Sequence, residues 1–109
     1  MKKYIVNITD DALGDMEAMY NYIAFRFQSP ENAMRQYNRI ADAVVSLETF
    51  PDRFGLFDTE PEHSFGIHKM VIDNYLVCYV IDPEIVTVTD VLYGSSNVHI
   101  KLQDRHGSI

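Results

Sequence analysis

Two amphipathic helical patterns meet at Ser29-Pro30-Glu31, and this junction constrains the fold more than any other feature of the chain. Serine is a favoured helix cap, proline has its φ angle preset for the first helical position, and a carboxylate is stabilised at a helix N-terminus. The residues therefore predict that a second helix begins here, directly after a first helix that ends near Phe27 or Gln28. Because the connection is so short, we expect the two helices to pack as an antiparallel hairpin.

The apolar residues of both segments recur at intervals of three and four, as on the buried face of an amphipathic helix. Thr9-Asp10-Asp11 supplies a cap and negative charge for the first helix. Phe50-Pro51 ends the second near Thr49, because the residue before proline is pushed out of the helical region. The predicted buried residues are Leu13, Met16, Tyr20, Ile23, Ala24 and Phe27 in the first helix, and Ala33, Tyr37, Ile40, Ala41, Val44 and Leu47 in the second.

Four further segments have the pattern of β-strands. Residues 4–8 alternate, with Tyr4, Val6 and Ile8 on one face and Ile5 and Asn7 on the other, and three further strands are predicted at 65–72, 75–82 and 85–93. Asp73-Asn74 and Pro83-Glu84 are turn residues, so the last three strands should form an antiparallel meander. The strand at 75–82 is apolar on both faces and should be central.

The element order predicts an α+β fold, in which the helical hairpin packs on one face of a small sheet. The length of 109 residues fits one domain spanning 1–109, with its core at about 4–101 and a tail at 102–109. The proline-containing stretch 51–64 is predicted to be a surface loop, and its acids and His63 to be solvated rather than to bind a metal.

Composition restricts the possible partners and location. The chain carries 16 acidic and 9 basic residues, a formal charge of −7, and no segment is a basic island, so direct DNA binding is disfavoured. No apolar run approaches the length of a membrane-spanning helix, and the N-terminus lacks the apolar stretch of a secretory signal, which together predict a cytoplasmic protein. Cys78 lies in an apolar strand and should be an inert core residue. No motif indicates a cofactor or a metal site.

The chain resembles the RelE/ParE superfamily, the toxins of bacterial type II toxin-antitoxin pairs, which are also described as plasmid stabilisation proteins. Six segments in the same order carry the resemblance from about residue 4 to 101. They are Ile8-Thr9-Asp10-Asp11-Ala12, Tyr22-Ile23, Ser29-Pro30-Glu31-Asn32-Ala33, Ser46-Leu47-Glu48-Thr49-Phe50-Pro51-Asp52-Arg53, Asn74-Tyr75-Leu76-Val77-Cys78-Tyr79-Val80-Ile81-Asp82 and Val91-Leu92-Tyr93-Gly94.

The resemblance implies a small cytoplasmic toxin that a cognate antitoxin neutralises through apolar contacts, and it implies two modes of action. RelE-like toxins cleave messenger RNA on the ribosome, whereas ParE-like toxins poison DNA gyrase without chemistry of their own. Cleavage requires a base, an acid and cations near the reacting phosphate. The candidates here are Lys69, His68, Tyr93 and His99, but Leu76 and Ser95-Ser96 replace basic residues that are frequent in RelE-like toxins.

The preferred hypothesis is therefore a ParE-like toxin that binds a protein target such as DNA gyrase. Whether the chain is an enzyme stays open. The alternatives are a ribosome-dependent endonuclease and a degenerate, non-toxic binding module. Arg35 and Arg39 lie four residues apart on one exposed helix face, and with Arg53 at the helix-to-loop corner they are the candidate partner-binding residues. Arg53 is also placed to cap carbonyls at the helix end. An apolar groove is expected near the helical hairpin, as a docking site for an antitoxin segment.

Overall fold

The computed structural model describes residues 2–94, Leu102 and Arg105. Strand β1 is followed by two helices and then by three strands, which confirms the predicted α+β order. A π-helical segment continues α1, and two short 3₁₀ turns follow α2. The bounds are β1 Ile5–Ile8, α1 Asp10–Asn21, the π-segment Tyr22–Arg26, α2 Pro30–Val45, 3₁₀ turns at Ser46–Glu48 and Pro51–Arg53, β2 His68–Ile72, β3 Tyr75–Asp82 and β4 Ile85–Tyr93.

The four strands form one sheet in the order β1-β4-β3-β2, with β1 parallel to β4 and the other pairs antiparallel. Strand β3 lies inside the sheet, as its two apolar faces predicted. β1 pairs only with the first four residues of β4, Ile85 to Val88. The register between β3 and β4 shifts between Cys78 and Tyr79, which leaves Thr89 as the extra residue of a bulge.

The helical hairpin packs on one face of the sheet, as predicted. Thr9 caps α1, because its hydroxyl oxygen accepts a hydrogen bond from the Ala12 N–H at 3.1 Å. Pro30 occupies the first turn of α2, but the Ser29 side chain makes no capping hydrogen bond, so that part of the prediction was wrong. The core between hairpin and sheet contains Ala12, Met16, Met19, Ile40, Val44, Leu47, Met70, Val77, Tyr79, Val86, Val88 and Val91.

The stripe of α2 is confirmed, whereas two members of the α1 stripe are wrong. Leu13 is 45% exposed and Phe27 is 63% exposed. Leu13 follows the buried Ala12 directly, so it points about 100° away from the face that Ala12 and Met16 bury. Phe27 lies after the π-segment, whose wider turns rotate the residues that follow out of the α-helical period.

The opposite face of the sheet has its own apolar cluster, which the sequence did not predict. Segment 57–67 and Leu102 cover it. Strand β2 begins at His68 instead of residue 65, because Ile67 pairs with Phe57 within this covering segment, through a 3.0 Å bond from the Phe57 N–H. Glu62, predicted to be solvated, is buried and accepts a hydrogen bond from the Thr59 hydroxyl. The cluster comprises Phe57, Ile67, Cys78, Leu92 and Leu102. Burial of Cys78 is confirmed, and it raises the pKa of the thiol.

Candidate partner-binding groove

A groove of about 910 Å³ opens between the free end of the helical hairpin and the end of the sheet. One wall is the C-terminal part of α1 with the π-segment, the second is the first part of α2, and the floor is the beginning of β3 with the end of β4. The lining residues are Asp15, Ala18, Met19, Tyr22, Ile23, Phe27, Ser29, Asn32, Gln36, Asn74, Tyr75, Val91, Leu92 and Tyr93. The groove expected near the hairpin is therefore present, and most of its lining is apolar or aromatic.

Aromatic rings form two pairs in this groove. Tyr22 and Phe27 meet edge to face with ring centroids 5.6 Å apart, and Tyr75 and Tyr93 do so at 5.6 Å. Tyr22 is 56% exposed and Tyr93 is 44% exposed, so both offer large apolar area to solvent. Desolvation, followed by the nearby Tyr93 and Tyr22, raises the pKa of Tyr75. Clustered exposed aromatics of this kind mark interaction surfaces.

The π-segment explains why Tyr22 and Phe27 reach this position. Bulges of this type insert an extra residue into a helix and often lie at functional sites. After it, the chain turns through Phe27 and Gln28, and Gln28 adopts a left-handed φ of 51°. The turn carries Phe27 back onto Tyr22, while Phe25 is exposed and does not line the groove.

The α2 wall of the groove carries two arginines next to its amide side chains. Arg35 donates to the Asn32 side-chain oxygen at 2.7 Å. Arg39 binds both carboxylate oxygens of Asp73 at 2.8 and 3.1 Å, and Gln36 donates to the same carboxylate at 2.9 Å. Hydrogen bonds from Arg39 and then from Gln36 lower the pKa of Asp73. Arg39 thus fixes α2 to the turn between β2 and β3, whereas Arg35 stands on the exposed rim.

The α1 wall is joined to β4 through a charged cluster. Asp15 accepts a hydrogen bond from the Val91 N–H at 2.9 Å and two from Arg105 at 2.7 and 2.9 Å. Arg105 also donates to the buried Asp90 at 2.7 Å. Sequence reasoning missed these residues, because Asp15 and Arg105 are 90 residues apart and no local pattern links them.

The candidate nuclease residues do not converge. His68 stacks on Tyr79 with ring centroids 5.0 Å apart, and its Nδ1 donates to the Phe54 carbonyl at 2.7 Å. Lys69 points to the opposite face, over the Phe57 ring at 5.4 Å. Tyr93 lies in the groove and pairs with Tyr75, whereas His68 pairs with Tyr79 farther along β3, and His99 lies outside the described residues.

Arg53 caps carbonyl groups at the end of the second helix, which is one of the two roles predicted for it. Its guanidinium donates to the backbone carbonyls of Thr49 and Phe50, the latter at 3.0 Å, and to the Ser46 hydroxyl at 2.9 Å. The same group lies 4.7 Å from the Phe54 ring centre. These contacts give Arg53 a structural role at the corner.

Residues 2–94, Leu102 and Arg105 contain no cluster of three histidine, cysteine or acidic side chains arranged to hold a metal ion. In the same residues no helix has the length and apolar character needed to cross a membrane.

Comparison with known proteins identifies one family. The family described as "ParE toxin of type II toxin-antitoxin system, parDE" matches residues 6–98. A solved structure of the chromosomal ParDE toxin-antitoxin system from P. aeruginosa is similar in fold, with a TM-score of 0.67 and 16% sequence identity over 84% of this chain and 96% of that chain. No curated protein sequence matches the chain.

Proposed function

The chain belongs to the ParE toxin family of type II toxin-antitoxin systems, and from that premise we propose that a cognate antitoxin neutralises it by placing an amphipathic segment in the groove. We also propose that the toxin acts by binding a protein target such as DNA gyrase, and that it does not cleave RNA. The observation that carries the proposal is the aromatic groove itself, with Tyr22, Phe27 and Tyr93 exposed at the open end of the hairpin.

The apolar part of the groove supports a segment with one apolar face. Aromatic side chains in concave sites are the commonest energetic centres of protein interfaces, because they bury a large area with little loss of rotamer freedom. Tyr22 comes from the α1 wall of the groove and Tyr93 from its floor, and both are exposed, so a segment seated in the groove would bury both rings. Such a segment would be disordered alone and ordered on binding.

The charges at the rim support an acidic residue in that segment beside α2. Arg35 is exposed and bonded to the neutral Asn32 amide, so its positive charge faces solvent next to the groove. Arg39 is held by Asp73 and contributes less, since its charge is matched inside the chain. We therefore assign the partner-binding role mainly to Arg35, with Arg39 positioning the α2 wall.

The absence of a nuclease arrangement in the described residues supports a binding mode of action. His68 is stacked on Tyr79 and hydrogen-bonded to Phe54, while Lys69 projects from the other face. General acid-base cleavage needs its groups within reach of one phosphate. The formal charge of −7 also disfavours a nucleic-acid substrate.

The groove is tested by titrating the toxin with the candidate antitoxin encoded beside its gene, using calorimetry. We expect Tyr93→Ala to weaken binding about 30-fold, the effect of a moderate interface centre. Phe65→Ala is the matched control, because Phe65 is an exposed aromatic in the loop before β2 that does not line the groove. Equal losses of affinity in the two variants, or no loss in Tyr93→Ala, would contradict the proposal that the antitoxin segment lies in the groove.

The mode of action is tested with purified components. The toxin should inhibit supercoiling by DNA gyrase, and Lys69→Ala should inhibit it equally well. Ribosome-dependent cleavage of messenger RNA that Lys69→Ala abolishes would instead establish the endonuclease. Antitoxin binding without either activity would identify a non-toxic binding module.

A further inference from the structure

Strand β4 extends beyond its parallel partner, and a helix carboxylate takes the place of the missing strand there. β1 pairs with Ile85 to Val88, so among the described residues no strand continues beside the second half of β4 on that edge. At this edge Asp15 of α1 accepts the Val91 N–H at 2.9 Å. Asp15 and Val91 both line the groove, so this one hydrogen bond joins its α1 wall to its floor.

This junction brings two carboxylates together in a poorly solvated place. The Asp15 side chain is 13% exposed and the Asp90 side chain is 1% exposed. The same terminal nitrogen of Arg105 lies 2.7 Å from an oxygen of each, and its second terminal nitrogen binds the other oxygen of Asp15 at 2.9 Å. Two neighbouring carboxylates that are shielded from water repel each other, and a cation bound to both of them reduces this repulsion.

Arginine suits this position for a geometric reason. Its planar fork binds Asp15 through two parallel hydrogen bonds and still reaches Asp90, which a lysine ammonium does with poorer geometry. Asp11, which is well exposed, lies farther off at 3.9 Å. Arg105 does not line the groove, whereas Asp15, which it binds, does.

We propose that Arg105 is a positioning residue of the antitoxin groove: its guanidinium holds Asp15 and Asp90 together and so fixes the α1 wall against β4. This inference rests on the proposed function of the groove. Asp90 also accepts a hydrogen bond from the Thr89 hydroxyl at 2.8 Å, but the guanidinium is the group that joins it to Asp15. Loss of the guanidinium removes this link and increases the repulsion between the two carboxylates, which moves Asp15 away from Val91 and displaces the wall that carries Ala18 and Tyr22. The groove then fits the antitoxin segment less well, although no contact residue has changed.

The first measurement uses the free toxin and needs no partner. Amide hydrogen exchange at Val91 reports directly on its bond to Asp15, and we expect Arg105→Gln to speed that exchange at least tenfold. Lys3→Gln is the matched control, because Lys3 is an exposed cation in a 3.5 Å ion pair with Glu48, outside the groove. Unchanged exchange at Val91 in Arg105→Gln would overturn the proposal.

The second measurement is the affinity for the candidate antitoxin by calorimetry. Arg105→Gln should bind about tenfold more weakly and Arg105→Lys about threefold more weakly, with Lys3→Gln unchanged. Adding Asp90→Asn to Arg105→Gln removes the repulsion and should recover most of the affinity, which simple unfolding would not allow. Faster exchange at Val91 with unchanged affinity would overturn the positioning role. If the wild-type chain binds no antitoxin, the proposed function fails, and the exchange result alone then decides whether Arg105 fixes the wall.

Discussion

Replacing Tyr79 with phenylalanine tests how the sheet is joined to the corner at residues 46–53. The Tyr79 side chain is completely buried, and its hydroxyl donates to the Pro51 carbonyl at 2.5 Å. Its ring stacks on His68, with centroids 5.0 Å apart. Phenylalanine preserves the ring and the stacking, so the substitution removes little besides the hydrogen bond.

The expected loss of stability in Tyr79→Phe is about 2 kcal/mol. A hydrogen bond contributes roughly 1 kcal/mol net, and a buried carbonyl that loses its donor adds a penalty of about 1 kcal/mol or more. Pro51 is itself buried, so water replaces the lost donor poorly. For a chain of this size the melting temperature should fall by about 8 °C.

Urea unfolding followed by circular dichroism measures the change, with Tyr37→Phe as the matched control. Tyr37 packs edge to face on Tyr20, and its hydroxyl has no hydrogen bond to the described part of the chain. The control should lose less than about 0.5 kcal/mol. Losses of equal size in the two variants would refute the argument that the Pro51 bond is what matters.

The pH dependence of Tyr79→Phe supplies a second check. Burial raises the pKa of Tyr79 to about 12, against an unfolded value near 10. The folded state therefore holds this proton more tightly, so the stabilisation is complete below pH 10 and is lost as the pH rises towards 12. Two pKa units correspond to about 2.7 kcal/mol at most. The difference in unfolding free energy between wild type and Tyr79→Phe should narrow above pH 10. A constant difference up to pH 11.5 would contradict the raised pKa of Tyr79.

Two further substitutions test the same corner. Arg53→Ala should lower the free energy of unfolding by about 1 to 2 kcal/mol through the loss of its bonds to Thr49, Phe50 and Ser46, without weakening antitoxin binding, as chemical unfolding and calorimetry can show. A loss of affinity at unchanged stability would place Arg53 in the partner surface. Phe50 is exposed with a left-handed φ of 46°, so Phe50→Asn should leave stability unchanged or raise it by up to about 1 kcal/mol in the same unfolding assay, whereas a clear loss would reveal a packing role for the ring.

The sequence predicted those elements correctly in which apolar residues recur with a regular helical or strand period. The stripe of α2 and the bounds of β3 and β4 follow from side-chain alternation that the tertiary structure does not interrupt. Phe27 was misplaced because a π-turn changes the helical period without any change in residue type. Glu62 was misplaced because its burial depends on the loop folding back over the second face of the sheet, a long-range contact.

The candidate site was predictable only in outline. A groove near the hairpin follows from the topology, and Tyr22 lay off the predicted buried stripe, which agrees with its exposure in the groove. The junction of Asp15, Asp90 and Arg105 was not predictable, because it joins residues 90 and 15 positions apart on three segments. Only the tertiary structure shows that Arg105 is hydrogen-bonded to both of these carboxylates.

If the proposed protein target exists, we expect it to be recognised mainly through apolar area, because several of the described cations are already bound within the chain. Arg39, Arg53 and Arg105 are each held by carboxylates or carbonyls of the chain itself, and Lys69 lies over an aromatic ring. A nucleic-acid partner needs several solvated cations, and their release of counterions makes binding fall steeply with salt. A protein partner that covers exposed aromatics depends on apolar area, which salt weakens little. The affinity of the chain for the proposed protein target should therefore change less than about threefold between 50 and 200 mM salt, whereas a loss of about a thousandfold would show that phosphates are recognised instead.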